Sequence, residues 1–270
     1  DILLWVPTLR RAFSAVTLSK LSAGEVAWRR IGSKRRQPSM LPSPSRYKIR
    51  TSQVEHGGAF SIYVAVATEP FDGIRESVMA AALQMRTEAG GTIVVCDDGL
   101  AAMHATADAE ADERLAFYEE HDLVFCARPA EGRVGAFPKA SNLNNALAQN
   151  MRFERNHLLC FLDADSRMPA GVLDHVTQIF RAHPSCGYVQ LSNATEVRSR
   201  SLIARLERRF NDTIAFFDIR AASTHGGFAP LLGHNVFVRG SALMQLERRF
   251  GSYWSETHVS EDLVMSMRMA

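Results

Sequence analysis

An α/β protein with a mostly parallel, twisted sheet flanked by helices is what two features of this sequence predict. Short apolar runs alternate with longer stretches of helical period, the pattern of β-α-β crossovers. Three of the runs end in acids: Glu69 after FSIYVAVA, Asp97 and Asp98 after TIVVC, and Asp163 and Asp165 after HLLCFL. Open α/β sheets bind ligands at the carboxyl ends of their strands, so the repeated placement points to one cleft lined with carboxylates. The run at His157–Asp165 is too short to cross a bilayer and reads as a buried strand.

The 270 residues suffice for one large domain or two small ones, and the apolar share is that of a globular chain. The net charge of +2 hides an asymmetry: residues 1–50 carry eleven Lys/Arg against two acids, Asp1 and Glu25. Such a leader either meets anionic lipid or nucleic acid or stays solvated. DILLWVPTL is too short for a membrane span and lacks a signal-peptide layout. Cys96, Cys126, Cys160 and Cys186 show no C-x-x-C spacing, which argues for buried reduced thiols rather than a disulfide frame or a zinc site.

Residues 1–58 read as an irregular, basic, Pro/Ser-rich leader, with a linker at Gln37–Arg50 and a weak helical pattern over Leu9–Arg30. The compact domain is expected over 59–270. FSIYVAVA alternates in strand fashion, and Asp72 is placed to cap a helix whose apolar positions are Ile74, Val78, Ala82 and Met85. Gly90 and Gly91 end it. Thr92–Cys96 is a second strand, Ala101–Glu120 a helix, and Leu123–Ala127 a third strand. A glycine-punctuated loop over Arg128–Pro138 leads to a helix at Asn142–Met151. The fourth strand is the acid-terminated run, followed by a helix over Pro169–Ala182 and a strand at Tyr188–Leu191.

After Ser199 the pattern changes. SLIARLERRFNDTIAFF places Leu202, Leu206, Phe210 and Ile214 on one helical stripe, with Arg205, Arg208 and Arg209 off it. Packing of that stripe on the core is the expectation; a helix lying on a membrane surface is the alternative. GGFAPLLGHN is a loop, VFVRGSAL follows, and Ser260 is placed as an N-cap with Glu261 and Asp262 in the first helical turn. Both ends read as cut, so a segment of a longer protein, truncated at the C-terminus, is expected.

Each motif also has a plain reading. Asp97 and Asp98 could form a turn ahead of Gly99, Lys139 could be a surface lysine, and Glu261 and Asp262 could serve the helix dipole. Their combination has a chemistry of its own. A divalent cation between Asp163 and Asp165 neutralises charge on a departing phosphate, and Lys139 adds a point charge to the same oxygens. A carboxylate standing apart can take a proton from an attacking hydroxyl. These are the parts for displacing a nucleoside diphosphate from a sugar carbon.

The chain resembles the family 2 glycosyltransferases, and within them processive membrane synthases of the cellulose and hyaluronan synthase type. The residues carrying the resemblance are Thr68-Glu69-Pro70, Asp97-Asp98-Gly99, Arg128-Pro129 with Gly132-Arg133, Lys139 to Asn144, Asp163-Ala164-Asp165, Gly233-His234-Asn235 and Ser260-Glu261-Asp262. The resemblance implies a GT-A fold, a UDP-sugar donor, a saccharide acceptor, Mg²⁺ or Mn²⁺, and an inverting reaction toward a β-linked polysaccharide. It implies that Asp97, Asp98 and Glu69 line the uridine pocket and that Lys139 binds the diphosphate. Asp163 would bind sugar or diphosphate and share the metal with Asp165. Gly233, His234 and Asn235 would lie on the acceptor side, and Asp262 would be the general base with Glu261 beside it. It implies a membrane protein whose catalytic domain faces the cytoplasm, held through segments this chain lacks. A nucleic-acid partner would rest only on the basic leader, and none is expected, since the strand-end acids would repel phosphates in a cleft without metal. The synthases' Gln-x-x-Arg-Trp motif is absent and would fall beyond Ala270; Ser260 stands where the family has Thr. Two alternatives stay open: a nucleotide-sugar-binding module without turnover, and a haloacid-dehalogenase-type phosphatase with Asp163 as nucleophile.

Overall fold

The computed structural model describes residues 2–4, 60–85, 91–106, 108–128, 137–150, 154–196, 201–213, 229–258 and 260–270. The linker over 37–50, the weak helical pattern over 9–30 and the Pro129 and Gly132-Arg133 parts of the motif set lie outside the described residues.

The described strands form one sheet: β1 (Ile2–Leu4), β2 (Phe60–Val66), β3 (Thr92–Asp97), β4 (Val124–Cys126), β5 (Leu158–Asp163), β6 (Tyr188–Leu191) and β7 (Val236–Arg239), in the order β1-β6-β7-β5-β2-β3-β4. The pairs β2–β3, β2–β5 and β3–β4 are parallel, while β7 runs against both β5 and β6, and β1 against β6. Five of the seven described strands, β2 to β6, therefore point the same way, as the β-α-β pattern requires. The expectation of an irregular leader fails at Ile2–Leu4, which forms the edge strand β1.

Strand residues alternate between two cores. Phe60, Ile62, Val64 and Val66 of β2 face α1 (Phe71–Met85), α3 (Ala109–Glu120) and α5 (Val172–Ala182), through side chains such as Ile74, Val78, Tyr118, Leu173 and Val176. Tyr63 and Ala65 face the other side with α4 (Pro138–Asn150), α7 (Gly240–Phe250) and α8 (Glu261–Met269), through Leu143, Leu147, Leu243, Leu246 and Met265. Both faces are covered, which is why β2 and β5 read as continuous apolar runs. Asp72 lies inside the first turn of α1 rather than capping it, and Ala82 and Met85 pack at the margin of the core.

Two boundaries shift in ways that matter. The expected helix over Ala101–Glu120 is two helices, α2 (Asp98–Ala105) and α3, because Asp97 and Asp108 each accept an amide hydrogen and start a new helix. The helix expected from Asn142 begins at Pro138, so Lys139 sits in its first turn; a proline at the start costs no helical hydrogen bond. All four cysteines are buried and outside any disulfide.

The stripe on α6 (Leu202–Thr213) does not pack on the core: the helix buries no residue, and Leu202, Ile203, Leu206 and Phe210 are all exposed. That overturns the core-packed expectation.

Candidate active site

The site is built on the carboxyl ends of three adjacent parallel strands. Asp97 pairs in register with Val66, and Asp163 with Ala65, so β2 stands between the two acids. They are separated by two strand spacings, about 10 Å.

Asp97 and Asp98 are buried, and their oxygens are committed to protein donors. Asp97 Oδ1 accepts Leu100 N–H at 3.0 Å, capping α2, and Oδ2 accepts Arg114 Nη1 at 3.0 Å and Tyr118 Oη at 2.8 Å. Arg114, with none of its side chain exposed, also donates to Glu110 Oε1 and, at 2.8 Å, to the Glu69 carbonyl. Burial, then the Asp97 charge, raises the Tyr118 phenol far above its ordinary value, so it stays a donor. Asp98 accepts a forked pair from Arg128, whose Nε lies 2.9 Å from Oδ1 and whose Nη2 meets Oδ2. Glu69 is half-buried and its Oε2 accepts Ala67 N–H at 2.6 Å. The plain reading of Asp97-Asp98-Gly99 as a turn gives way to a helix start. Glycine is required there: a Cβ on Gly99 would stand 2.2 Å from the Ala67 carbonyl oxygen.

The same arginine ties this corner to Lys139. Arg128 Nη1 donates to Ser141 Oγ at 2.5 Å and Nη2 to the Pro138 carbonyl at 3.2 Å, while Asn142 Nδ2 donates to the Cys96 carbonyl at 2.7 Å. Three side-chain contacts thus pin the first turn of α4, two of them to Arg128 just past β4 and one to the end of β3. The helix N-terminus carries a partial positive charge, to which Lys139 adds a full one.

Lys139 Nζ lies 2.5 Å from Asp163 Oδ1, and His234 Nδ1 lies 3.2 Å from Oδ2. Burial works to raise the Asp163 carboxyl, but the His234 hydrogen bond and the Lys139 charge outweigh it and hold the group below its usual range. Asn235 Nδ2 donates to Asn193 Oδ1 at 2.7 Å, and Asn193 Nδ2 meets His234 Nε2. That polarity leaves the His234 Nδ1–H for Asp163.

Asp165 sits exposed two residues on, in a turn closed by Ser166 N–H donating to the Asp163 carbonyl at 3.0 Å. Ser77 Oγ donates to the Ala164 carbonyl at 2.6 Å, and Arg167 pairs with Glu76 and Glu196, so the turn is fixed from both sides. Among the described residues no group of three or more His, Cys, Asp or Glu forms a ready metal cage. One exposed carboxylate beside a half-exposed one suits a cation that brings its remaining oxygens with a diphosphate, as Mg²⁺ sites do.

Asp262 closes the site from the opposite wall. Its Oδ1 accepts Leu263 N–H at 2.7 Å. Gly233 adopts φ +73°, and a Cβ there would stand 3.2 Å from Asp262 Cβ, 3.3 Å from Asp262 Oδ2 and 3.5 Å from Lys139 Nζ. The base candidate, the lysine and the Gly-His-Asn loop therefore meet at one point. Glu261 lies beside them: burial raises its carboxyl, Lys139 lowers it, and Asp262 and Asp163 push it up again, for a net rise. Ser260 holds the N-cap position of α8 but its side chain makes no cap bond. The segment leading to α8 is clamped by Asn144, which accepts Trp254 N–H at 2.8 Å and donates to the Trp254 carbonyl and Glu256 Oε1.

The structure thus brings together Lys139, Asp163, Gly233, His234, Glu261 and Asp262, with Asp165 on the adjoining turn. Arg114, Tyr118, Asn144 and Asn193 join the site's hydrogen-bond network and had no expected role. Glu110-Arg114-Tyr118 reads in sequence as an ordinary solvated helix face, and nothing distinguishes it. The phosphatase alternative needs the acid pair on the first parallel strand, whereas β2, β3 and β4 precede β5.

Residues 158–270 match the family model described as Glycosyl transferase family group 2. No curated protein sequence matches the chain. Among solved structures, Staphylococcus aureus TarS is similar at 17% identity and TM-score 0.48 over 78% of this chain, and its fragment 1–349 at 17% identity and TM-score 0.47 over 78%. The mannosyltransferase PcManGT from Pyrobaculum calidifontis, in complex with GDP-Man and Mn²⁺, is similar at 17% identity and TM-score 0.49 over 94%. The chain spans 33%, 54% and 61% of those three chains respectively.

Proposed function

We propose, from the match of residues 158–270 to the glycosyl transferase family group 2 model, that the protein is a GT-A glycosyltransferase that moves a sugar from a UDP-sugar to an acceptor hydroxyl with inversion, toward a β-linked polysaccharide. The observation that carries the reading is the meeting of Lys139, Asp163, Gly233 and Asp262 at the carboxyl end of the sheet.

In this reading Lys139 and the first turn of α4 receive the diphosphate, and Lys139 exchanges its Asp163 partner for phosphate oxygens. Asp165, with Asp163, would hold Mg²⁺ or Mn²⁺, which when bound neutralises charge on the departing diphosphate. Asp262, one oxygen held by Leu263 N–H, takes the proton of the attacking hydroxyl on the other. The new bond forms from that hydroxyl oxygen to the anomeric carbon, and the bond to UDP breaks. Glu261 would be the neighbouring carboxyl, and Gly233 to Asn235 would border the acceptor. Glu69 lines the uridine side. Asp97 and Asp98 shape the same wall by holding Arg114 and Arg128; a uridine contact from either requires its arginine to yield.

The test is UDP release by the protein across UDP-glucose, UDP-GlcNAc and UDP-glucuronate with Mn²⁺ present. Asp262→Asn is expected to lose roughly 100- to 10,000-fold in turnover. Normal turnover in that variant sinks the base assignment. UDP binding without release from any donor favours a nucleotide-sugar-binding module instead.

A further inference from the structure

Strand β6 lies beside β7, and apolar side chains fill most of its buried positions; Gln190 stands at one of them with none of its surface exposed. A buried amide is costly unless its polar atoms find partners. Here each of them does. Oε1 accepts Leu232 N–H at 2.9 Å, and Nε2 donates to the His234 carbonyl at 2.9 Å and to the Leu191 carbonyl at 3.0 Å. The amide therefore grips the chain on both sides of Gly233. The gripped segment needs outside support, because Gly233 and Asn235 both adopt positive φ, +73° and +51°. Two more contacts hold it: Leu191 N–H donates to the Asn235 carbonyl at 3.0 Å, and Asn235 Nδ2 donates to Asn193 Oδ1 at 2.7 Å.

The geometry points to Gln190 as a positioning residue for the transfer step, acting through Gly233 and His234 rather than on the substrate. The inference rests on the reading of the cleft as a sugar-transfer site. What this loop carries is what that reaction needs at fixed distances. The backbone at Gly233 is the wall between base and lysine, since a Cβ there would meet Asp262 Oδ2 at 3.3 Å and Lys139 Nζ at 3.5 Å. His234 follows, with Nδ1 3.2 Å from Asp163 Oδ2. The groups that receive the diphosphate have supports of their own: Arg128 and Asn142 fix the α4 turn, and Ser77 fixes the Asp165 turn. Loosening the loop thus disturbs the approach of the attacking hydroxyl while leaving UDP its binding groups. A misplacement of about 1 Å at reacting atoms can cost about 100-fold in rate. An apolar side chain would serve packing alone, so the amide at position 190 is there for the loop.

The experiment compares wild type with Gln190→Met, which keeps the length of the side chain and removes its hydrogen bonds. Asn193→Ala, at a half-buried site, removes the outer brace and keeps the test open if Gln190→Met does not fold. Hydrogen exchange at residues 232–235 is expected to run at least about tenfold faster in Gln190→Met, with β7 unchanged. UDP titrated in Mn²⁺ is expected to bind within about twofold of wild type, while UDP release from the UDP-sugar donor falls at least about tenfold in turnover. Asn193→Ala is expected to show the same split, smaller in size. Unchanged exchange in Gln190→Met overturns the inference, and so does wild-type turnover in both variants. UDP affinity that falls in step with turnover overturns it too, since the amide then serves the donor pocket or the fold at large. Wild type that releases no UDP from UDP-glucose, UDP-GlcNAc or UDP-glucuronate fails the transfer reading itself and takes the inference with it. An active wild type beside equally active variants fails the inference alone.

Discussion

Arg114 shows how a single side chain decides what a neighbouring acid can do. With both it and Asp97 fully enclosed, removing the cation leaves a buried carboxylate that, among the described residues, keeps Leu100 N–H and the Tyr118 hydroxyl as its donors. Arg114→Ala is therefore expected to cost about 3–5 kcal/mol in urea unfolding, far above a surface substitution. A loss under 1 kcal/mol, the value of an exposed pair, contradicts the burial argument. The acids themselves were legible in the sequence because charge at the end of an apolar run is out of place. Their partners were not, since Arg114 and Tyr118 follow Glu110 at helical spacing and look solvated until the helix is folded onto β3. His234 stood out only as part of Gly-His-Asn, and its line through Asn193 to Asn235 needs β6 and β7 to be side by side.

At the level of elements, α4 does most to assemble the site. Its start carries Lys139, its middle carries Asn144, and both reach chain far away in sequence. Asn144 holds both backbone groups of Trp254, whose indole packs edge-on against Phe161 at 5.1 Å, just before Asp163. Asn144→Ala leaves Trp254 N–H and Glu256 without that partner, so a loss of about 1–3 kcal/mol is expected in denaturant melts. A melt superimposable on wild type shows the clamp to be incidental. Strand and helix existence came from period and punctuation, and β6 at Tyr188–Leu191 is found where the pattern put it. Helix starts were less legible, because Asp97, Asp108 and Pro138 start helices through local hydrogen bonds or fixed φ that hydropathy does not encode. The α6 stripe was visible, but period alone does not say whether a stripe faces a core or a surface.

Over the whole molecule, the sheet order places β2 centrally in the parallel block and sends its flanking acids to one edge, while β7 returns Gly233 to Asn235 to the same edge. Strand direction was legible from the crossovers; the antiparallel insertion of β7 between β5 and β6 was not, since it depends on contacts across long sequence separations. The convergence has a pH signature. Asp163 sits below its usual range in the fold, whereas an unfolded aspartate titrates near about 4. Its contribution to stability is therefore complete above about pH 4 and lost as pH falls through the folded value. Urea melts across that range are expected to fall more steeply for wild type than for Asp163→Asn; parallel acid limbs contradict the pairing with Lys139 and His234.

The most direct test is calorimetric titration of UDP in Mn²⁺ against wild type, Lys139→Ala, Asp165→Ala and Asp262→Asn. Pyrophosphate recognition by the α4 turn and the Asp165 turn predicts binding at least about tenfold weaker in Lys139→Ala and Asp165→Ala, with Asp262→Asn unchanged. Equal affinity in wild type and Lys139→Ala contradicts it.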